Sequence, residues 1–94
     1  MTKLEESRAV IDTVDKELVK LFEQRFQAVK GVMEYKLENG LPVLDSSREQ
    51  QIIAKHTNEL SDPSLAPYFK AWYQNMLAVS RQYQTDLMEE KKNG

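Results

Sequence analysis

The sequence of 94 residues predicts an all-α fold made of three helices, long, short and long. Apolar residues recur at steps of three and four through most of the chain, which is the period of an amphipathic helix, and no stretch alternates as a strand does. The first helix would be about 36 residues and roughly 54 Å long, but a compact domain of this size has a radius of gyration of only about 12–13 Å. We therefore expect that the first helix either projects from the domain or pairs with a second chain.

The first helix is predicted over residues 2–37. Thr2 and Glu5 have the T-x-x-E spacing of a capping box at its start, and the pair Asn39-Gly40 can take the positive φ that ends many helices. One face of this helix carries a stripe of apolar side chains. The stripe consists of Leu4, Ile11, Val14, Leu18, Leu21, Ala28, Val29 and Val32.

The second helix is predicted to begin with the segment Asp45-Ser46-Ser47-Arg48-Glu49, in which Ser46 and Glu49 have the spacing of another capping box, S-x-x-E. Ile52 and Ile53 give this helix an apolar face that can be buried, and the helix should end near Leu60. It is therefore much shorter than the first helix, and we expect it to pack beside the longer ones.

The third helix should have Ser64 as its N-cap, because Pro67 then falls in the first turn, where a missing N–H is harmless. It should run to about Lys91. Its inward stripe is apolar except for two polar residues one turn apart, Ser80 and Gln84. The whole stripe consists of Leu65, Phe69, Trp72, Tyr73, Met76, Ser80, Tyr83, Gln84 and Leu87.

The composition indicates a single soluble domain over residues 1–94, since 40% hydrophobic and 30% charged residues are ordinary for a globular chain. No apolar run approaches the roughly 20 residues that cross a membrane, and the first residues lack the apolar core of a signal peptide. There is no cysteine and the net charge is −2, so neither disulfides nor nucleic-acid binding is expected. We predict a cytoplasmic protein with no membrane or nucleic-acid partner.

Three cations interrupt the apolar stripe of the first helix: Arg8, Arg25 and Lys36. A long basic side chain at such a position can bury its stem and leave its charge in water. Alternatively, the three charges bind an anionic ligand, because desolvated cations are costly without a partner. Arg25 and Lys36 lie about 16 Å apart along the helix and can reach one small molecule, whereas Arg8 lies about 25 Å before Arg25. Arg8 would therefore serve a site on the second chain.

Together with residues of the other two helices, these cations resemble the active-site set of the all-helical (type II) chorismate mutases. The resemblance covers residues 4–87 and rests on spacing: R-x16-R-x10-K in the first helix, D-x2-R-E at the start of the second, and S-x3-Q in the third. The substrate-binding residues that it implies are Arg8, Arg25, Lys36, Asp45, Arg48, Glu49, Ser80 and Gln84. Those expected to be catalytic are Lys36, Gln84, Arg25 and Glu49.

The resemblance implies an isomerase, a chorismate mutase, which converts chorismate to prephenate on the route to phenylalanine and tyrosine. The reaction is a Claisen rearrangement, so neither a covalent intermediate nor a metal or cofactor is expected. The family also implies an intertwined homodimeric helical bundle with two equivalent sites, each completed by an arginine from the partner's first helix. This agrees with the spacing of Arg8 and with the length of the first helix.

By resemblance, Arg25 and the partner's Arg8 bind the two carboxylates of chorismate, with help from Ser80. Lys36 and Gln84 donate hydrogen bonds to the ether oxygen, on which negative charge develops as the C–O bond breaks. Donors fixed at that position stabilise the transition state more than they stabilise the substrate.

Glu49 would accept a hydrogen bond from the ring hydroxyl, which the backbone near Asp45 also contacts, and Arg48 would orient its neighbours. Other interpretations stay open: Asp45 could be only an N-cap, Arg48 and Glu49 could be surface charges, and the capping box could occupy the Glu49 carboxylate. Ser80 could be a small polar residue at a close helix contact. Arg81 departs from the family pattern, because it puts a large charge beside Ser80.

Two other functions stay open at this point. An isochorismate-pyruvate lyase of the same fold is also pericyclic and needs the same cations, so the residues above do not separate it from a mutase. A non-catalytic helical dimerisation module would be expected to have lost Lys36 or Gln84, and neither is replaced. The sequence is compatible with a free-standing enzyme and with a domain of a larger protein.

Overall fold

A computed structural model describes residues 1–93 of the chain, which are helical throughout apart from short connections. The elements are α1 (Lys3–Glu38), α2 (Ser46–Asn58), a single 3-10 turn (Pro63–Leu65) and α3 (Ala66–Asn93), and no strand occurs in the described range. The predicted order of long, short and long helices is confirmed, although α2 ends before the predicted Leu60. None of these helices, within residues 1–93, is long and apolar enough to cross a membrane.

The ends of α1 follow the signals in the sequence. The Thr2 hydroxyl accepts a hydrogen bond from the Glu5 backbone N–H at 3.1 Å, and the Glu5 carboxylate accepts one from the Thr2 backbone N–H at 3.5 Å, which completes the capping box. At the other end, the Leu41 N–H donates to the Lys36 carbonyl at 2.8 Å, the six-to-one bond of a Schellman motif. Gly40 makes this turn possible with a φ of +64°, a left-handed value that favours glycine.

The predicted cap of α2 is wrong by one residue. Asp45, not Ser46, is the N-cap, because its carboxylate accepts a hydrogen bond from the Arg48 backbone N–H at 3.1 Å. Aspartate and serine are both strong N-caps, and the sequence places them side by side, so the pattern alone does not choose between them. The capping box expected between Ser46 and Glu49 therefore does not form, and the Glu49 carboxylate is available for a tertiary contact.

The predicted cap of α3 is wrong as well. Ser64 does not cap the helix but lies in the 3-10 turn, where its hydroxyl and its backbone N–H donate to the Asp62 carboxylate at 2.6 and 3.0 Å. These two hydrogen bonds lower the pKa of Asp62 from its ordinary value of 3.8, since they stabilise the charged form. α3 then begins at Ala66, and Pro67 lies in its first turn as predicted.

α3 is the helix that packs against both of the others. The ring centroids of Phe26 in α1 and Tyr83 in α3 lie 5.2 Å apart, and His56 of α2 meets the Tyr73 ring edge-on at 5.6 Å. The buried apolar residues within the described range are only Met33, Tyr73 and Leu77. A single chain therefore has a small core for its length.

The chain is elongated, with a radius of gyration of 16.8 Å and extents of 54 × 28 × 15 Å. A compact domain of this length would have a radius of gyration of about 12–13 Å. The apolar stripe of α1 is left uncovered: Ile11 is 55% exposed and Leu21 54% exposed, and Trp72 of α3 is 53% exposed. This surface is the one that a second chain would cover, and the intertwined homodimer stays a prediction.

Candidate active site

A cavity of about 260 Å³ lies where the three helices meet. Its walls are the second half of α1, the first turns of α2 and the second half of α3. Seven of the eight predicted site residues line it, namely Arg25, Lys36, Asp45, Arg48, Glu49, Ser80 and Gln84. Their neighbours in the lining are mostly apolar and include Val29, Val32, Ile52 and Leu77. Seven polar residues from three separate parts of the sequence thus line the same cavity.

Arg8 is the predicted site residue that the structure does not bring to this cavity. It lies exposed in the first half of α1, about 25 Å along the helix axis before Arg25. Within one chain it is too far away to act with the other residues. Its contribution to the cavity of a second chain stays a prediction.

Arg25 is held in place by a serine on the opposite helix. The Arg25 Nη1 donates to the Ser80 hydroxyl oxygen at 2.8 Å, and the Ser80 hydroxyl in turn donates to the Met76 carbonyl at 3.0 Å. Ser80 is only 4% exposed, so this chain of hydrogen bonds is shielded from water. A serine within a helix often bonds to the carbonyl four residues before it, and here that bond fixes the hydroxyl as an acceptor for Arg25.

Lys36 ties the connection between α1 and α2 to the cavity. Its Nζ donates to the Val43 carbonyl at 3.0 Å, across the loop that follows α1. The ammonium carries three donors, so this bond leaves two for a ligand. Val43 itself lines the cavity and is half-buried. The contact between Lys36 and a loop carbonyl had no signal in the sequence.

Gln84 lies in the α3 wall and is 7% exposed. Its Nε2 donates to the Ser80 backbone carbonyl at 3.4 Å, a long hydrogen bond, and its Oε1 is buried without a partner among the described residues. A buried polar atom without a hydrogen bond is uncommon and costly. The amide therefore has an unused hydrogen-bonding position at the cavity.

Glu49 forms an ion pair with Arg81, which also lines the cavity. The Arg81 Nη1 donates to the Glu49 Oε1, and both side chains are largely buried. Neither residue is an ordinary surface charge. The sequence marks Arg81 only as a large charge near Ser80, and its pairing with Glu49 could not be foreseen while Glu49 was assigned to a capping box.

The cavity is positively charged although the chain as a whole carries −2. Four cations line it, Arg25, Lys36, Arg48 and Arg81, against the two carboxylates of Asp45 and Glu49, which gives a net charge of +2. The Asp45 carboxylate is used by the α2 cap and that of Glu49 by Arg81. A cleft with a net charge of one sign concentrates small ligands of the opposite sign. In the part of the chain that the structure describes, no group of three or more His, Cys, Asp or Glu side chains could hold a metal ion.

The fold and this cavity define an all-helical protein whose site suits a small dianion. Comparison with known families identifies it more closely: the family described as chorismate mutase type II matches residues 7–85, which is most of the chain and includes every predicted site residue. The chain therefore belongs to the chorismate mutase type II family, and the resemblance seen in its sequence is confirmed. A search of curated proteins gives no significant match.

Proposed function

We propose that this protein is a chorismate mutase, which converts chorismate to prephenate. Membership of the family supports an isomerase of this kind, and the observation that carries the proposal is the cavity, in which seven site residues from three helices converge and, together with Arg81, give the lining a net charge of +2. Chorismate has two carboxylates, so its charge is complementary to that of the site. In the cytoplasm the reaction would supply prephenate for phenylalanine and tyrosine synthesis.

Arg25 and Arg48 would bind and orient the substrate. The enolpyruvyl side chain of chorismate must be held in a chair-like conformer so that the bond-forming carbons meet, which is catalysis by orientation. Arg25 suits this role because the buried Ser80 hydroxyl fixes its guanidinium, and a guanidinium binds a carboxylate through two parallel N–H groups. Arg48 lies across the cavity on α2 and adds positive potential there.

Lys36 and Gln84 would stabilise the transition state. The C–O bond breaks ahead of C–C formation, so negative charge develops on the ether oxygen, and donors fixed there lower the barrier. Lys36 has N–H groups left after its bond to the Val43 carbonyl. Gln84 has an amide whose Nε2 carries two N–H donors, and the long hydrogen bond to the Ser80 carbonyl uses only one of them. Its N–H₂ group can therefore face a ligand.

Glu49 would accept a hydrogen bond from the ring hydroxyl of chorismate. Its carboxylate is free of the α2 cap, which Asp45 provides instead. Asp45 would then contribute through the backbone that it orders, since its own carboxylate accepts from the Arg48 N–H. Asp45 thus caps α2, whereas Glu49, one turn later, binds the substrate.

A second copy of the chain would complete each site with the partner's Arg8. The support for this step is the uncovered stripe of α1 and an apolar groove of about 590 Å³ between α1 and α3, lined among others by Leu18, Phe22, Trp72 and Val79. Arg25 borders both this groove and the cationic cavity. Two α1 helices that pack antiparallel and cross near Val19 bring the partner's Arg8 level with the interval between Arg25 and Lys36.

The activity is tested by adding chorismate to the purified chain, following the loss of its absorbance and identifying the product. We expect prephenate, and we expect Lys36→Met to lower kcat by roughly 100- to 1,000-fold, as loss of one transition-state donor does. Lys20→Met is the matched control, because Lys20 is an exposed cation of the same helix, paired only with Glu17 at the surface. Failure to convert chorismate, or release of salicylate and pyruvate from isochorismate instead, would contradict the proposal.

A further inference from the structure

The ion pair between Arg81 and Glu49 joins α3 to the first turn of α2 within the wall of the cavity. The side chains of Arg81 and Glu49 are 32% and 21% exposed. The Arg81 Nη1 bonds to Oε1 of the carboxylate, and Oε2 takes no part in that bond. The pair is thus placed to fix the glutamate through one oxygen while the other can face a ligand.

Glu49 borders two spaces and not only the cationic cavity. On its other side lies an outer cavity of about 220 Å³, and the residues that line both spaces are Glu49, Leu77 and Arg81. The ion pair and the buried Leu77 therefore separate the cationic cavity from the outer cavity. Without Arg81, the flexible glutamate could turn into the outer cavity, where Gln50 and Gln74 offer amide groups.

Two consecutive residues of α3 hold the opposite walls of the cavity. Ser80 binds Arg25 of α1, and Arg81 binds Glu49 of α2. Successive side chains of a helix point about 100° apart, which is why neighbours in sequence reach different helices. Two adjacent residues of α3 thus hold Arg25 and Glu49, the cation and the anion that the proposed reaction uses.

We propose that Arg81 is a positioning residue that holds Glu49 with Oε2 toward the ring hydroxyl of the substrate. This step rests on the proposed function, because it assumes that chorismate occupies the cavity. Beyond the positive charge that it adds to the lining for any anionic substrate, Arg81 then acts through Glu49, and only on substrates that carry the hydroxyl. A merely structural clamp between α2 and α3 would affect every substrate equally, so the two roles differ in what they predict for an analogue.

The experiment measures kcat/KM for chorismate and for an analogue in which hydrogen replaces the ring hydroxyl. Arg81→Met should lose roughly 10- to 100-fold more on chorismate than on the analogue, within the range of coupling between contacting residues, because the loss of its charge from the lining affects both dianions alike. Arg81→Lys should recover part of that difference. Combined with Glu49→Gln, Arg81→Met should change the difference between the two substrates no further than Glu49→Gln alone. Lys70→Met, which removes an exposed cation of α3, should match wild type on both substrates.

An equal loss on both substrates in a folded Arg81→Met protein, or no loss on either, would overturn the role of Arg81. Circular dichroism identifies a variant that has not folded, and the comparison then rests on Arg81→Lys, for which a smaller loss confined to chorismate is expected. A wild-type chain that does not convert chorismate would overturn the proposed function itself, so the two failures are distinct.

Discussion

The amide of Gln84 is buried in the cavity wall, where its Nε2 makes a hydrogen bond of 3.4 Å and its Oε1 makes none within residues 1–93. An unsatisfied buried polar group costs about 1–3 kcal/mol. Nε2 carries a second N–H that the bond to the Ser80 carbonyl does not use, and this N–H is the donor that the proposed contact with the ether oxygen requires. Gln84 is therefore the residue whose proposed role is most open to a direct test.

Gln84→Glu should lower kcat/KM at neutral pH by roughly 100- to 1,000-fold, the usual cost of one missing oxyanion donor, because an ionised carboxylate only accepts. Glutamate ordinarily ionises near pH 4.3, so part of the activity should return as the solution is acidified toward about pH 5. The measurement is a pair of pH–rate profiles. Gln84→Ala is the control that should lose activity with no recovery in acid. Wild-type activity of Gln84→Glu at neutral pH would show that the amide does not contact the ether oxygen.

The sequence could predict which side chains share the cavity but not how they are paired. Helical period decides which residues lie on one face of a single helix, and the family resemblance gathered residues of different helices, such as Arg25 and Gln84, into one set. The pairing of Glu49 with Arg81, and of Arg25 with Ser80, depends on how closely the helices approach one another. That distance is set by packing of the whole fold, which no spacing within one helix encodes.

At the scale of elements, some helix ends could be predicted from the sequence and others could not. The Thr2 cap and the Gly40 stop could be predicted because each is the only strong signal at its position. At the start of α2 and in the 3-10 turn before α3 two capping residues compete, and the structure uses Asp45 to cap α2 and Asp62 to cap the turn, where Ser46 and Ser64 were expected to cap the two helices. In both places the acidic residue that comes first along the chain is the cap, and the serine follows inside the turn.

The two internal glycines should respond in opposite directions to the same substitution. Gly31 lies in α1 with nothing near the position of an added Cβ, so Gly31→Ala should raise the free energy of unfolding by about 0.5–1 kcal/mol through helix propensity. Gly40 has a φ of +64°, so Gly40→Ala should lower it by about 1–2 kcal/mol. Urea unfolding measures both. Destabilisation by Gly31→Ala would show that another surface packs closely on that face of α1.

The turn before α3 should weaken in acid. The pKa of Asp62 is lowered from 3.8 by the Ser64 hydroxyl and backbone N–H, so the folded state favours the carboxylate more than the unfolded state does. The stability that this gives is fully present above pH 3.8 and is lost as the pH falls through the lowered value. The advantage of wild type over Asp62→Asn in urea unfolding should therefore shrink below that pH, and Ser64→Ala should reduce it. An advantage that does not change with pH would contradict this assignment.

At the scale of the whole molecule, one chain leaves much of its apolar surface in water. Its radius of gyration of 16.8 Å exceeds the roughly 12–13 Å of a compact domain of this length, and Val14, Leu18 and Val19 are all exposed. Contiguous apolar surfaces of this kind mark sites of association in soluble proteins. The predicted length of the first helix also indicates association. Where the partner's Arg8 would lie depends on how two chains pack, which the structure of one chain does not describe.

Light scattering at micromolar concentration should give about twice the chain mass of 10.9 kDa, as expected for a two-fold dimer. Val14→Glu together with Leu21→Glu should shift the protein toward monomers and lower its activity with it, because the exposed stripe of α1 would then carry like charges at the interface. Lys16→Glu is a control on the other side of α1, since this exposed residue lies about 160° around the helix from Leu18. A folded, fully active monomer would contradict both the assembly and the role of Arg8.

The central claim, that each site of a homodimeric mutase takes Arg8 from the partner, is tested most directly by mixing inactive variants. Arg8→Ala and Lys36→Ala should each be inactive, since each removes one cation from both sites. After subunit exchange at equal amounts, their mixture should recover about one quarter of wild-type activity, because half of the dimers are mixed and each holds one intact site.

The matched control is a mixture of Arg25→Ala and Lys36→Ala, whose altered residues lie in the cavity of the same chain. Every mixed dimer of that pair keeps a defect in both sites, so no activity should return. Recovery in the first mixture and none in the second is the result that we predict for chorismate turnover. Equal activity of the two mixtures, after exchange has been confirmed by mass spectrometry, would contradict a site shared between chains.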